Sequence, residues 1–232
     1  MLAIIPAKGN SEGVPLKNIA EIDGVPLIVR CIETALESES ITRVAVSSDS
    51  EHIRNLSEKA GAIPIERPGV LAQPSSSSES VLLHALENVE PTELTVFLQC
   101  TAPLMTAADI DGTVAVCKDT GVAVAPFEGF LWASGQGSTG FPILSWNYRP
   151  RRQDREPMYV EAGSVYVMNT EGFLKNQYRF FGKTGIYSID HFRHLEIDYE
   201  EDVEIARKLI ENPYLRAMQN VGRTPGVATS VI

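Results

Sequence analysis

The chain has 232 residues, enough for one large domain with a small excursion. Its 44% hydrophobic and 22% charged residues describe an ordinary globular protein, without an apolar run of the roughly 18 residues that cross a bilayer. A formal net charge of −10 argues against a nucleic-acid polymer or an anionic membrane as partner, because phosphate backbones select basic surfaces. An anionic small molecule stays compatible, held in a local basic pocket. The N-terminus enters a strand directly, with no signal-peptide pattern. Cys31, Cys100 and Cys117 lie in apolar or helical contexts without metal-type spacing. They read as buried free thiols, which implies a cytoplasmic address.

In chain order, Leu2 to Ile5 reads as a buried strand, followed by a polar, glycine-containing loop that ends in Lys17-Asn18. Gly24-Val25-Pro26 predicts a turn, and the apolar spacing over Leu27 to Ser38 a helix. Arg43 to Ser47 predicts a strand, and Asp49 is placed to cap the helix that begins near Glu51. Ala62 to Ile65 predicts a third strand. The Ser-rich run 73–79 precedes an amphipathic helix over Ser80 to Asn88, with Glu79 favourable to its dipole. Leu94 to Leu98 is the clearest buried strand; Asp109 to Asp119 predicts a helix and Gly121 to Ala125 a strand. After Pro126 the chain is irregular to Asp154. A strand from near Gly163 to Met168, a turn of helix over Gly172 to Lys175 and a strand over Gly185 to Ile189 follow. Leu195 to Asp198 predicts a last short strand, Glu200 to Glu211 a helix, and 213–232 a frayed tail. Strands alternating with helices imply an open, mostly parallel sheet covered on both faces, with ligands outside the carboxyl ends of its strands. Lys8 to Asn18, Asp49, Arg67 and Gln99 all fall at those ends.

Three constellations stand out. The loop from Lys8 to Asn18 combines glycines at 9 and 13, which let backbone N–H groups approach a ligand, with Lys8 and Lys17. It suits a polyphosphate or is a solvated strand-to-helix loop; it matches neither the Walker pattern nor Gly-x-Gly-x-x-Gly. Glu196 and Asp198, two apart, share a face if extended. They are then Mg²⁺ ligands or an exposed acidic strand end. Arg151-Arg152-Gln153 suits bidentate recognition of an acid or is a solvated basic loop. None of the four histidines is assigned catalysis, and His84 reads as a core or half-buried histidine.

The segment IIPAKGNSEGVPLKN resembles the nucleotide motif IPARGGSKGIPxKN of the acylneuraminate cytidylyltransferases, the CMP–sialic acid synthetases. Further matches follow in order over about residues 2 to 211. Val46-Ser47-Ser48-Asp49 is similar to V-S-T-D, Arg67-Pro68 with Leu71-Ala72 to R-P-x-x-L-A, and Leu98 to Leu104 to L-L-Q-P-T-S-P-L. Arg149 to Asp154 is similar to R-P-R-R-Q-D, Glu161 to Tyr166 to E-N-G-S-x-Y, and Glu196-Ile197-Asp198 to D-I-D. The resemblance implies a Rossmann-like three-layer α/β/α fold with a mostly parallel central sheet. One domain would cover residues 1–212, and a small dimerisation excursion within 127–190 would make a homodimer.

By that resemblance Ala7, Lys8, Gly9, Asn10 and Ser11 would hold CTP phosphates. Asn18, Arg67 and Ser78 would recognise the nucleoside, and Gln99, Arg152, Gln153 and Tyr166 would face a sugar acid. Glu196 and Asp198 would hold Mg²⁺, with Lys17 and Asp198 catalytic. The implied reaction joins CTP and an acidic 2-keto sugar, releasing pyrophosphate. An eight-carbon keto-acid sugar, a phosphonate, or nucleotide binding without turnover are the alternatives; a dinucleotide-dependent oxidoreductase is disfavoured because its glycine fingerprint is absent. Lys8 replaces an arginine, Glu12 a lysine, Glu196 an aspartate, Pro74 an aspartate and Met105 an arginine.

Overall fold

The computed structural model describes residues 1–10, 14–143 and 149–212. Ser11, Glu12 and the expected tail at 213–232 lie outside the described residues. In chain order the elements are β1 (Leu2–Pro6), β2 (Glu21–Ile22), β3 (Val25–Pro26), α1 (Leu27–Glu37), β4 (Arg43–Ser48), α2 (Glu51–Lys59), β5 (Ile63–Glu66), α3 (Ser78–Asn88) and β6 (Leu94–Leu98). Then come α4 (Ala107–Val116), β7 (Thr120–Phe127), β8 (Trp132–Ser134), β9 (Gly140–Pro142), β10 (Met158–Asn169), α5 (Thr170–Asn176), β11 (Thr184–Ser188) and α6 (Glu200–Glu211). Short 3-10 turns cover Lys17–Ile19, Gly69–Ala72, Arg152–Asp154 and His191–His194.

Seven strands form one sheet in the order β11-β7-β10-β6-β1-β4-β5. β10 runs antiparallel to both β6 and β7, and every other pairing in the sheet is parallel. The period of two along each strand sorts the core into layers. Ala3, Ile5, Val44, Val46, Val96 and Leu98 pack with Ile28, Ile32, Ile53 and Ile110 of α1, α2 and α4. Leu2, Ile4, Ala45, Phe97, Val122 and Tyr166 face the other way, onto Leu82, Leu86 and Phe173 of α3 and α5. Strands that are apolar on both faces require this double cover, which is why β1 and β6 read as continuous apolar runs. A third cluster joins Ile22, Leu27, Leu104 and Ile197 to Ala206 and Ile210 of α6.

β1 lies between β6 and β4: the chain runs from β1 to β4 and β5 on one side and then crosses back to β6 on the other. A crevice at that switch point, outside the carboxyl ends of β1 and β6, is where open α/β sheets bind ligands. Within the stretch 127–190, the β8–β9 hairpin stands apart from the central sheet, whereas β10 and β11 belong to it.

Six sequence expectations are corrected. β10 begins at Met158 rather than near Gly163, and the stretch expected to be irregular after Pro126 contains the β8–β9 hairpin. Leu195 to Asp198 is not a strand. The Ile197 N–H donates to the Thr101 carbonyl and the Asp198 N–H to the Asp202 carboxylate, so neither joins a ladder. Ser50, not Asp49, caps α2 by accepting from the Ile53 N–H; Asp49 accepts from the Gly9 N–H at 2.8 Å. The helix expected from Asp109 starts at Ala107 and ends at Val116, because Thr106 and Asp109 form a reciprocal capping box. The turn near residues 24–26 centres on Asp23 and Gly24, both with positive φ, and Val25–Pro26 is already strand.

Candidate active site

The loop after β1 is held in place from below. The Ala7 N–H continues the β1–β4 pairing by donating to the Ser47 carbonyl at 2.9 Å, and the Gly9 N–H donates to Asp49. Gly9 must be a glycine on packing grounds, since a Cβ there would lie 2.9 Å from the Cβ of Ser50. Asn18 is buried and spans the loop: its Nδ2 donates to the Lys8 carbonyl at 2.7 Å and its Oδ1 accepts from the Cys100 thiol at 3.1 Å. Burial pushes that thiol up to about 12, so it stays protonated as a donor.

Arg67, at the end of β5, is 5% exposed. Its Nε donates to Ser47 Oγ at 3.2 Å and its Nη2 to the Ser47 carbonyl. Burial lowers its pKa, offset in part by the Asp49 carboxylate. The arginine thus ties the carboxyl ends of β4 and β5 together while its charge is kept near the cleft.

Across the cleft, Lys17 Nζ lies 2.8 Å from Asp198 Oδ1 and donates to the Ile197 carbonyl at 3.0 Å. Gln99 closes the end of β6, with its N–H on the Ser164 carbonyl and its Nε2 3.3 Å from Glu196 Oε2. Gly163, at a bulge in β10 with φ +60, makes room for Glu196: a Cβ there would lie 2.0 Å from Glu196 Oε1. Burial, and after it the Asp198 carboxylate, push the Glu196 carboxyl up to about 7; Lys17 pulls the other way. Among the described residues no group of three or more His, Cys, Asp or Glu side chains could hold a metal ion. Two neighbouring carboxylates are nevertheless a hard-oxygen pair that a divalent cation would compensate.

A cleft of about 230 Å³ lies at the switch point, and its lining includes Lys8, Lys17, Asn18, Arg67, Ser78 and Gln99; Glu196 and Asp198 are not in that lining and join it through their contacts with Gln99 and Lys17. Six residues singled out from sequence thus meet in one place. Phe97, Cys100, Thr101 and the Ser76–Ser77 pair also line it and were not singled out for the site. Tyr166 is buried behind the cleft, its hydroxyl donating to Glu161 Oε2 at 2.9 Å. Gln153 is exposed on the Arg152–Asp154 turn and does not line the cleft, and Asn10 is exposed.

The family model for cytidylyltransferases matches residues 2–220. The chain belongs to the cytidylyltransferase family. It is similar to an N-acylneuraminate cytidylyltransferase of Streptococcus agalactiae, 26% identical over 215 residues that cover 87% of this chain and 51% of that protein. It spans about half the length of this relative. It also resembles a pseudaminic acid cytidylyltransferase of Campylobacter jejuni, 28% identical over 220 residues, 90% of this chain and 95% of that one. The fold is similar to that of a CMP:2-keto-3-deoxy-manno-octonic acid synthetase solved with CTP. That likeness has a TM-score of 0.68 over 90% of this chain and 97% of the other, at 15% identity. No helix among the described residues is long and apolar enough to cross a membrane.

Proposed function

We propose that this protein transfers the cytidylyl group of CTP to the anomeric 2-hydroxyl of an acidic 2-keto sugar. The oxygen attacks the α-phosphorus, the bond to the β-phosphate oxygen breaks, and pyrophosphate leaves. The observation that carries this reading is the convergence of Lys8, Lys17, Asn18, Arg67, Ser78 and Gln99 on one cleft at the sheet's switch point. Family membership supports CTP as the nucleotide. The acid is taken to be of the class named in the relatives, a sialic-acid-like sugar.

In this reading the backbone of Ala7 to Asn10, with Lys8, receives the phosphates, and Asn18, Arg67 and Ser78 the nucleoside. Gln99 and Tyr166 border the acid, and the excursion carries Arg152 and Gln153 toward the cleft of a partner protomer. Lys17 neutralises developing phosphate charge, and Asp198 lies at the attacking hydroxyl. There is little covalent work for such a protein; alignment and charge stabilisation supply the rate. Glu196 and Asp198 would hold Mg²⁺, which when bound would screen the phosphate oxygens. Exposed Leu131, Trp132, Phe141 and Ile143 around the hairpin support a homodimer, and the three free cysteines a reducing, cytoplasmic setting.

The test is pyrophosphate release on mixing the protein with CTP, Mg²⁺ and a panel of nine- and eight-carbon keto-acid sugars and phosphonates. Release with a sialic-acid-like sugar is expected. CTP binding with no release from any acid would leave a nucleotide-binding protein without turnover.

A further inference from the structure

We infer that Arg179 is a positioning residue that neutralises Glu79 and fixes the start of α3 at the cleft, so that this wall accepts a polyanionic nucleotide. The inference rests on the CTP reading above. Glu79 stands in the first turn of α3, next to Ser78, which lines the cleft. An unpaired carboxylate behind this nucleoside wall would add negative charge to a cleft that takes a polyanion, in a place where partial burial weakens the screening by water. Arg179, from the segment between α5 and β11, meets it: its Nε lies 2.7 Å from Glu79 Oε1, and the two side chains are only 17% and 13% exposed. The hydrogen bond and charge of Arg179 hold the Glu79 carboxyl below its usual range although burial acts against this.

The arginine is itself pinned. Phe97 on β6 and Tyr166 on β10 are register partners whose rings stack at 5.3 Å between centroids. The Arg179 guanidinium covers both, 5.0 Å from the Phe97 centroid and 4.8 Å from that of Tyr166. Phe97 lines the same cleft as Ser78. One guanidinium therefore joins its floor to its α3 wall from behind, 100 residues away in sequence from the carboxylate it neutralises. Lysine keeps the charge but loses the planar stack and the fork. A tyrosine hydroxyl already committed to Glu161 leaves Tyr166 to serve here by its ring.

The experiment measures steady-state KM for CTP and for the acid, with thermal midpoints, in the wild type and four variants. Arg179→Met is expected to raise the KM for CTP by about tenfold, with a smaller change in kcat, because Glu79 is left unpaired behind the α3 wall of the nucleotide cleft. Glu79→Gln combined with Arg179→Met should recover most of that loss, and Arg179→Lys should lie between wild type and Arg179→Met. Glu79→Gln alone should leave the KM for CTP at or below the wild-type value, and it decides the matter if Arg179→Met does not fold. A KM for CTP within twofold of wild type in Arg179→Met, no recovery in the double variant, or a rise in Glu79→Gln overturns the inference. Absence of turnover in the wild type would instead remove the CTP reading, and the inference with it.

Discussion

The Lys17 ammonium lies 2.8 Å from the Asp198 carboxylate, joining residues 181 positions apart beside the cleft that Lys17 lines. Asp198 is 62% exposed on its side chain, so the pair does little for folding. In the proposed reaction its value lies in holding a positive and a negative charge side by side at the cleft. Asp198→Asn is expected to lower turnover by about 100-fold or more while moving the thermal midpoint by less than about 2 °C. Pyrophosphate release and a thermal melt on the same preparation check both halves. Near-normal turnover would take Asp198 out of the site.

Gly163 carries a second prediction. Its φ of +60 and the contact its Cβ would make with Glu196 mean that Gly163→Ala must displace the Glu196 carboxylate and strain the bulge. We expect a loss of about 1–3 kcal/mol in urea unfolding, together with a fall in turnover. A variant as stable and as active as wild type would show that Glu196 has room to move.

The Glu196 carboxyl predicts how stability varies with pH in the metal-free protein. Its folded value of about 7 lies above its ordinary 4.5. Below that ordinary value the carboxyl is protonated in both states and contributes no difference. Between about 4.5 and 7 the folded protein keeps a proton that the unfolded chain releases, so this contribution to stability falls as pH rises through that window and levels off above it. Glu196→Gln should flatten this part of a plot of thermal midpoint against pH. An unchanged slope in the variant would assign the dependence to other groups.

Arg67 separates packing from binding. Arg67→Met removes a buried guanidinium that bonds both the Oγ and the carbonyl of Ser47, and it should destabilise by about 2–4 kcal/mol. CTP binding measured by calorimetry at a temperature where the variant stays folded should weaken about tenfold or more. Full retention of affinity would confine Arg67 to the join between β4 and β5.

Much of this was legible along the chain. β6 and α6 fall on the expected residues because a continuous apolar run and a 3.6-residue period are local signals. The ligand end of the sheet was legible too: Lys8, Arg67 and Gln99 each follow a strand, and parallel strands deliver their ends to one edge. Leu195 to Asp198 read as a strand because alternation looks the same in an extended loop; only the carbonyl of Thr101 and the carboxylate of Asp202 show which it is. Asp49 read as a cap because an aspartate just before an amphipathic run is a local capping signal, whereas its actual partner, the Gly9 N–H, is 40 positions away.

The opening motif, the strand rhythm and the order of the later motifs were enough, by themselves, to determine the family and a mostly parallel sheet, since each rests on residues near one another. The tertiary structure alone decided which charges meet: Lys17 with Asp198, Glu196 against Gly163, Arg179 with Glu79. Such pairs are chosen by where strands and helices end in space, and a charge carries no mark in sequence of the partner that folding will bring to it.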